Sequence, residues 1–138
     1  MDLNRIRALR GPNLWSRSTA IEAIVTCGAD EADITRLPAF ETRLRTQFPA
    51  IGGHWPLEGG PLNLAQVLEV AALALQAQAG CPVTYSRTTA TVEPGVYQVV
   101  VEYTEEKVGR MALEQARELI AASTNGGGFD AVAAVARL

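Results

Sequence analysis

The spacing of apolar positions divides the chain into adjacent pairs of strands and helices. Ile6-Arg7-Ala8-Leu9 alternates apolar with polar or small side chains and predicts a short strand, broken by Gly11-Pro12-Asn13. Thr19 to Thr26 is rich in β-branched residues and predicts a second strand. Gly28 to Asp33 reads as an acidic turn. Leu37-Pro38-Ala39 opens a helix with Pro38 in its first turn. Phe40, Leu44 and Phe48 recur every fourth position as its buried stripe, and Pro49 ends it. Gly52-Gly53-His54-Trp55-Pro56 and Glu58-Gly59-Gly60-Pro61 form a Gly/Pro-rich loop. Asn63 then caps a helix that runs to about Ala79, with Gly80 as its stop. Leu64, Val67, Leu68, Ala71, Leu75 and Ala79 make that helix apolar on most sides, which predicts burial; Glu69 is its only charge.

Val83 to Val92 and Val96 to Tyr103 flank Glu93-Pro94-Gly95 and predict a hairpin. The continuous run Val99-Val100-Val101 marks its second arm as a central strand. Val108 to Ala122 is an amphipathic helix with Met111, Ala112, Gln115 and Leu119 along one side. Asn125-Gly126-Gly127-Gly128 is a linker, and Asp130 caps a last helix, Ala131 to Leu138. The order β-β-α-α-β-β-α pairs strands with strands. It predicts an α+β fold, an antiparallel sheet of about four strands with helices packed on one face. Two turns of isolated helix are unstable in water, so the last segment reads as the start of something longer.

With 138 residues, the chain has the length of one domain. A hydrophobic fraction of 48% and a charged fraction of 20% place it among globular proteins. The net charge of −3 argues against nucleic-acid or anionic-membrane binding through bulk charge. No apolar run is long enough to span a bilayer, and Met1-Asp2-Leu3-Asn4-Arg5 lacks a signal-peptide core, so a cytoplasmic protein is expected. Cys27 and Cys81 fit no paired motif and read as reduced, buried thiols.

The basic residues are lopsided. Lys107 is the sole lysine, and Arg5, Arg7, Arg10 and Arg17 crowd the N-terminal stretch. A solvated face explains such a cluster; so does a patch for an acidic ligand, since the planar guanidinium fork grips carboxylates with two bonds. His54 is the only histidine, so a Ser-His-Asp or Cys-His site would have to use it. Gly126-Gly127-Gly128 lacks the Lys-Ser/Thr of a phosphate loop. Glu105-Glu106 sits where negative charge offsets a helix dipole. In Arg10-Gly11-Pro12-Asn13-Leu14-Trp15-Ser16, Trp15 is expected to plug the core and Asn13 to hydrogen-bond the turn.

Several of these stretches, in order, resemble the N-terminal domain of cyanophycin synthetases. They are Leu9-Arg10-Gly11-Pro12-Asn13-Leu14-Trp15-Ser16, Leu37-Pro38-Ala39-Phe40, and Ala72-Leu73-Ala74-Leu75-Gln76 with Ala79-Gly80. Tyr85-Ser86-Arg87-Thr88, the run Gly95 to Tyr103, Gly109-Arg110-Met111-Ala112 and Phe129-Asp130 follow. The resemblance implies part of an ATP-dependent ligase that joins aspartate and arginine into a branched storage polymer. It implies that ATP and magnesium serve ATP-grasp and Mur-ligase-like domains outside this stretch, with no cofactor here. Residues 1–125 would then be the N-terminal domain, and 126–138 the linker and first turns toward the ATP-grasp domain. The implied roles are holding the polymer and building a homo-oligomer.

Some members of that family are also implied to trim polymer at a zinc site carried by an H-x-x-E-H helix. The matching stretch here is Gln66-Val67-Leu68-Glu69-Val70, with both histidine positions replaced and only Glu69 kept, so no metal and no catalysis is expected. Glu69 is expected to be a partly buried acid that an arginine such as Arg87 could pair with. A polymer bearing carboxylate and guanidinium ends suits a surface with arginine and acidic patches. The candidate contacts are Arg5, Arg7, Arg10, Arg17 and Arg87, with Glu102 and Glu105. A zinc peptidase and a purely structural oligomerisation module are the alternatives.

Overall fold

A computed structural model describes residues 1–56 and 60–138, so Glu58 and Gly59 of the predicted loop lie outside the described residues. Four strands, β1 (Asp2–Leu9), β2 (Ala20–Thr26), β3 (Ser86–Ala90) and β4 (Val96–Glu102), form one antiparallel sheet in the order β1-β2-β4-β3. The helices are α1 (Pro38–Gln47), α2 (Leu64–Gln78), α3 (Glu106–Thr124) and α4 (Ala131–Ala136). The α+β class and the single antiparallel sheet agree with the reading of the sequence.

Local chemistry sets most boundaries where the pattern put them. Asn63 Oδ1 accepts from Gln66 N at 2.9 Å while Gln66 Oε1 accepts from Asn63 N at 3.0 Å, a reciprocal cap on α2. Gly95 closes the β3–β4 turn at φ +79°, and a side chain there would meet the Cys27 carbonyl at 2.9 Å. Asp130 Oδ1 accepts from Ala133 N at 3.0 Å and starts α4.

Beyond shifts of one or two residues at other ends, three segments differ. β1 starts at Asp2 rather than Ile6. A bulge at Asn4 shifts the register between Leu3 and Arg5, so Leu3 and Ile6 share a face despite breaking the period of two. β3 is limited to Ser86–Ala90, shorter than the predicted Val83 to Val92, although Glu102 N of β4 still donates to the Tyr85 carbonyl at 3.0 Å. The acidic turn resolves into a short 3-10 turn, Ala29–Ala32, and a second one, Ile34–Arg36, follows it.

One face of the sheet is sealed. Ile21, Ala23 and Val25 of β2 stand beside Val101, Val99 and Tyr97 of β4, and α2 and α3 pack over them. Leu44, Phe48, Ile51, Leu68, Leu75, Leu113 and Leu119 are essentially inaccessible in that layer. The opposite face lies outside this helix-side cluster, although Ala20 and Val100 on it are themselves buried. It is built by the alternate positions: Arg5 and Arg7 on β1, Ala20, Glu22 and Ile24 on β2, Gln98, Val100 and Glu102 on β4, and Arg87 and Thr89 on β3.

Candidate functional site

The open sheet face is the site that the sheet register defines. Arg7, Glu22, Val100 and Arg87 lie in one row across the four strands, and Arg5, Ile24, Gln98 and Thr89 in the next. Strands lie about 4.8 Å apart, so the arginine edges of the face are roughly 14 Å apart. Between them runs a mixed strip in which Ala20, Ile24 and Val100 alternate with Glu22, Gln98 and Glu102, and Glu22 is buried. Glu22 Oε1 is 2.8 Å from Arg7 Nε, and Glu22 Oε2 accepts from Gln98 Nε2 at 2.6 Å. Glu22 and Gln98 escaped the sequence reading. The available signal was a single acid at a strand position opposite Arg7.

Of the predicted contacts, the structure brings Arg5, Arg7, Arg87 and Glu102 onto this one face. Arg10 and Arg17 sit at the two ends of the loop joining β1 to β2, both exposed. That loop is organised by Asn13. Its Oδ1 accepts from Trp15 N and Ser16 N, and its Nδ2 donates to the carbonyls of Arg10 and Ser18. Ser16 Oγ donates to Glu102 Oε2, which ties the loop to the end of the open face. Asn13 therefore does what its sequence predicted. Trp15 does not. It is half-buried and stands apart from the side chains packed on the helix-side core, because the Ser16–Glu102 bond holds its loop to the other face. Glu105 is not on the face; it is the exposed N-cap position of α3.

The charges of the face are unequally engaged. Glu22 is taken by Arg7 and Gln98, and Glu102 by Ser16. Among the described residues, Arg5, Arg10, Arg17 and Arg87 have no carboxylate within 4.0 Å. Arg36, Arg45, Arg110 and Arg117 each have one on their own helix or turn. Arg43 Nε donates to the Ser123 carbonyl at 2.8 Å and its guanidinium lies against Phe40. Arg137 Nη1 donates to Gln115 Oε1 at 3.5 Å, so among the described residues the arginines whose side chains have no such partner are those of the open face and its loop.

Glu69 lies on the opposite side of the sheet. Its Oε2 accepts from Thr88 Oγ1 at 2.6 Å and its Oε1 from Ser86 Oγ at 3.3 Å. The suggested pairing with Arg87 does not form, since alternate residues of β3 point to opposite faces and Arg87 is on the open one. Burial pushes the Glu69 carboxyl above the usual glutamate range, against the lowering effect of the Thr88 and Ser86 hydroxyls. Hydroxyl neighbours, with Gln66 and Val70 on the flanking turns, do not make the imidazole set that a zinc ion of this type requires. Among the described residues no three His, Cys, Asp or Glu side chains gather. His54 is exposed in the loop before α2.

Cys27 is buried, and desolvation, helped by the nearby Glu31 charge, pushes its thiol up to about 11. Cys81, expected to be buried, is half-buried because it follows the Gly80 turn that leads the chain out of α2. No helix among the described residues is long and apolar enough to cross a membrane.

Fold and face together have the form of a helix-backed α+β module with one free, arginine-edged sheet surface. The chain belongs to the cyanophycin synthase-like N-terminal domain family, whose profile matches residues 24–125. It is 34% identical, over 125 aligned positions covering 81% of its length, to the cyanophycin synthetase of Trichormus variabilis. It is 33% identical over 127 positions to that of Geminocystis herdmanii and 30% over 127 to that of a Synechocystis strain. The chain spans 14% of the length of each of these relatives, so it corresponds to a small part of them.

Proposed function

We propose that this chain holds an aspartate- and arginine-containing polymer of the cyanophycin type against its open sheet face. It would serve as the polymer-binding part of a ligase whose bond-forming chemistry resides in ATP-grasp and Mur-ligase-like domains. The observation that carries this reading is the set of unengaged arginines, Arg5, Arg10, Arg17 and Arg87, collected around the one sheet face that no helix covers. The polymer presents many carboxylates and the face presents many guanidinium groups, so charge-assisted bonds form without displacing an internal ion pair. The acids of the face, Glu22 and Glu102, already have partners. The grip therefore falls on the carboxylates of the polymer and not on its guanidinium groups. Exposed contacts of this kind are individually weak, about 0.2–1 kcal/mol each, so retention comes from many of them along a repeating ligand.

Co-sedimentation with soluble cyanophycin tests the reading. Binding at low ionic strength that is lost when the Debye length falls to about 3 Å is expected. A chain that stays in the supernatant at low salt contradicts it.

A further inference from the structure

The outer edge of β1 carries features that the polymer-binding reading does not use. β1 is the terminal strand of the sheet, so among the described residues the main-chain groups along its outer side have no strand partner. Past the Asn4 bulge, Arg5 to Leu9 pairs regularly with β2 and contains no proline. On the open-face side of this edge stand Arg5 and Arg7, two residues apart. Their spacing of roughly 6.8 Å is the repeat at which an extended chain presents side chains to one face. Arg5 has no carboxylate partner among the described residues, and Arg7 keeps 56% of its side chain exposed while its Nε holds Glu22. On the helix side of the same edge lies a shallow, mainly apolar groove of about 550 Å³. It is lined by Ile6, Met111 and the neighbouring Glu106, Lys107, Arg110 and Glu114 of α3.

From this juxtaposition we infer that the β1 edge accepts, by strand addition, an extended peptide segment with acidic residues at alternate positions and apolar ones between them. Main-chain bonds to β1 supply the affinity. The acidic side chains meet Arg5 and Arg7, and the intervening apolar side chains enter the groove beside Ile6 and Met111. The aliphatic stems of Lys107 and Arg110 extend the groove's apolar surface. A second copy of this chain is a poor occupant. The central antiparallel registers that keep Ile6 and Ala8 on the helix side set Arg5 or Arg7 directly opposite an arginine of the other copy, and like charges facing each other destabilise the pair. A polymer charged on every side chain has nothing to place in the groove. The occupant is therefore different from the polymer of the proposed function, although Arg5 serves both.

The test uses a capped peptide alternating aspartate and valine, titrated into the ¹⁵N-labelled chain. The expected result is saturable binding that slows hydrogen exchange of outward-facing β1 amides between Arg5 and Leu9. An analogue N-methylated at alternate residues should not bind, and Arg5→Glu should weaken binding about tenfold. Arg36→Glu makes the same charge change away from this edge and should leave peptide binding unaltered. The inference is overturned if the N-methylated analogue binds equally, if the protected amides lie elsewhere, or if Arg5→Glu has no effect. It is also overturned if β1 amides become protected with rising protein concentration alone, which would make a second copy the occupant. Soluble cyanophycin protecting these amides while the alternating peptide does not would assign the edge to the polymer instead.

Discussion

Arg7 Nε reaches Glu22 Oε1 at 2.8 Å across the β1–β2 ladder, with 56% of the arginine side chain exposed and 4% of the glutamate. The pair is asymmetric: water can solvate Arg7 but scarcely reaches Glu22. Arg7→Ala leaves a buried carboxylate with the Gln98 amide as its remaining partner. It should destabilise the chain by about 1–3 kcal/mol in urea unfolding. Adding Glu22→Gln should recover much of that loss, because the orphaned charge is gone. A double variant no more stable than Arg7→Ala alone would show that the pair does not hold β1.

Gly109 lets α3 lie close against Tyr103 and against Ile21 of β2. A methyl group there would lie 2.8 Å from Tyr103 Cβ and 2.9 Å from Ile21 Cδ1. Alanine is the better helix former by up to about 1 kcal/mol, so an open site would gain from the change. Here the overlap should win, and Gly109→Ala should lower stability by about 1–3 kcal/mol. Ile21→Val removes one of the two obstructing atoms and should soften the loss in the double variant. Thermal unfolding of the three variants decides it, and a stabilised Gly109→Ala would contradict the packing described.

Burial raises the Glu69 carboxyl above its ordinary range. Folding therefore favours its protonated form. The stability it contributes is complete below the unfolded value of about 4.3 and is lost as pH rises through the raised folded value. At neutral pH the ionised carboxylate is a burden that a neutral amide lacks. Glu69→Gln should unfold at a higher temperature than the parent chain at pH 7, and the gap should close as the pH falls toward 4. A gap independent of pH, or one of opposite sign, would contradict the desolvation account.

The helical layer was legible because its signals are local. Asn63 with Gln66, Pro38 at the head of α1 and Asp130 before α4 each set a boundary through bonds within a few residues. The hairpin was legible through Gly95. The β1 start was not, because the Asn4 bulge inserts a residue and cancels the alternation on which strand reading depends. Trp15 was misplaced because its destination is fixed by Ser16 bonding Glu102, a partner 86 residues away in sequence. For the open face, the arginines stood out by composition, but their convergence on one surface depends on the β1-β2-β4-β3 order. Glu69 was recognised as partly buried, yet its partners follow from which residues of β3 face α2, a parity that places Thr88 inside and Arg87 outside.

The most direct measurement compares polymer binding by the parent chain with that of Arg5→Ala/Arg87→Ala, which clears one unengaged arginine from each edge of the open face. Affinity for soluble cyanophycin at low salt should fall about tenfold and its salt dependence should become shallower, with the unfolding temperature little changed. An unchanged affinity in a folded double variant would contradict the claim that this face holds the polymer.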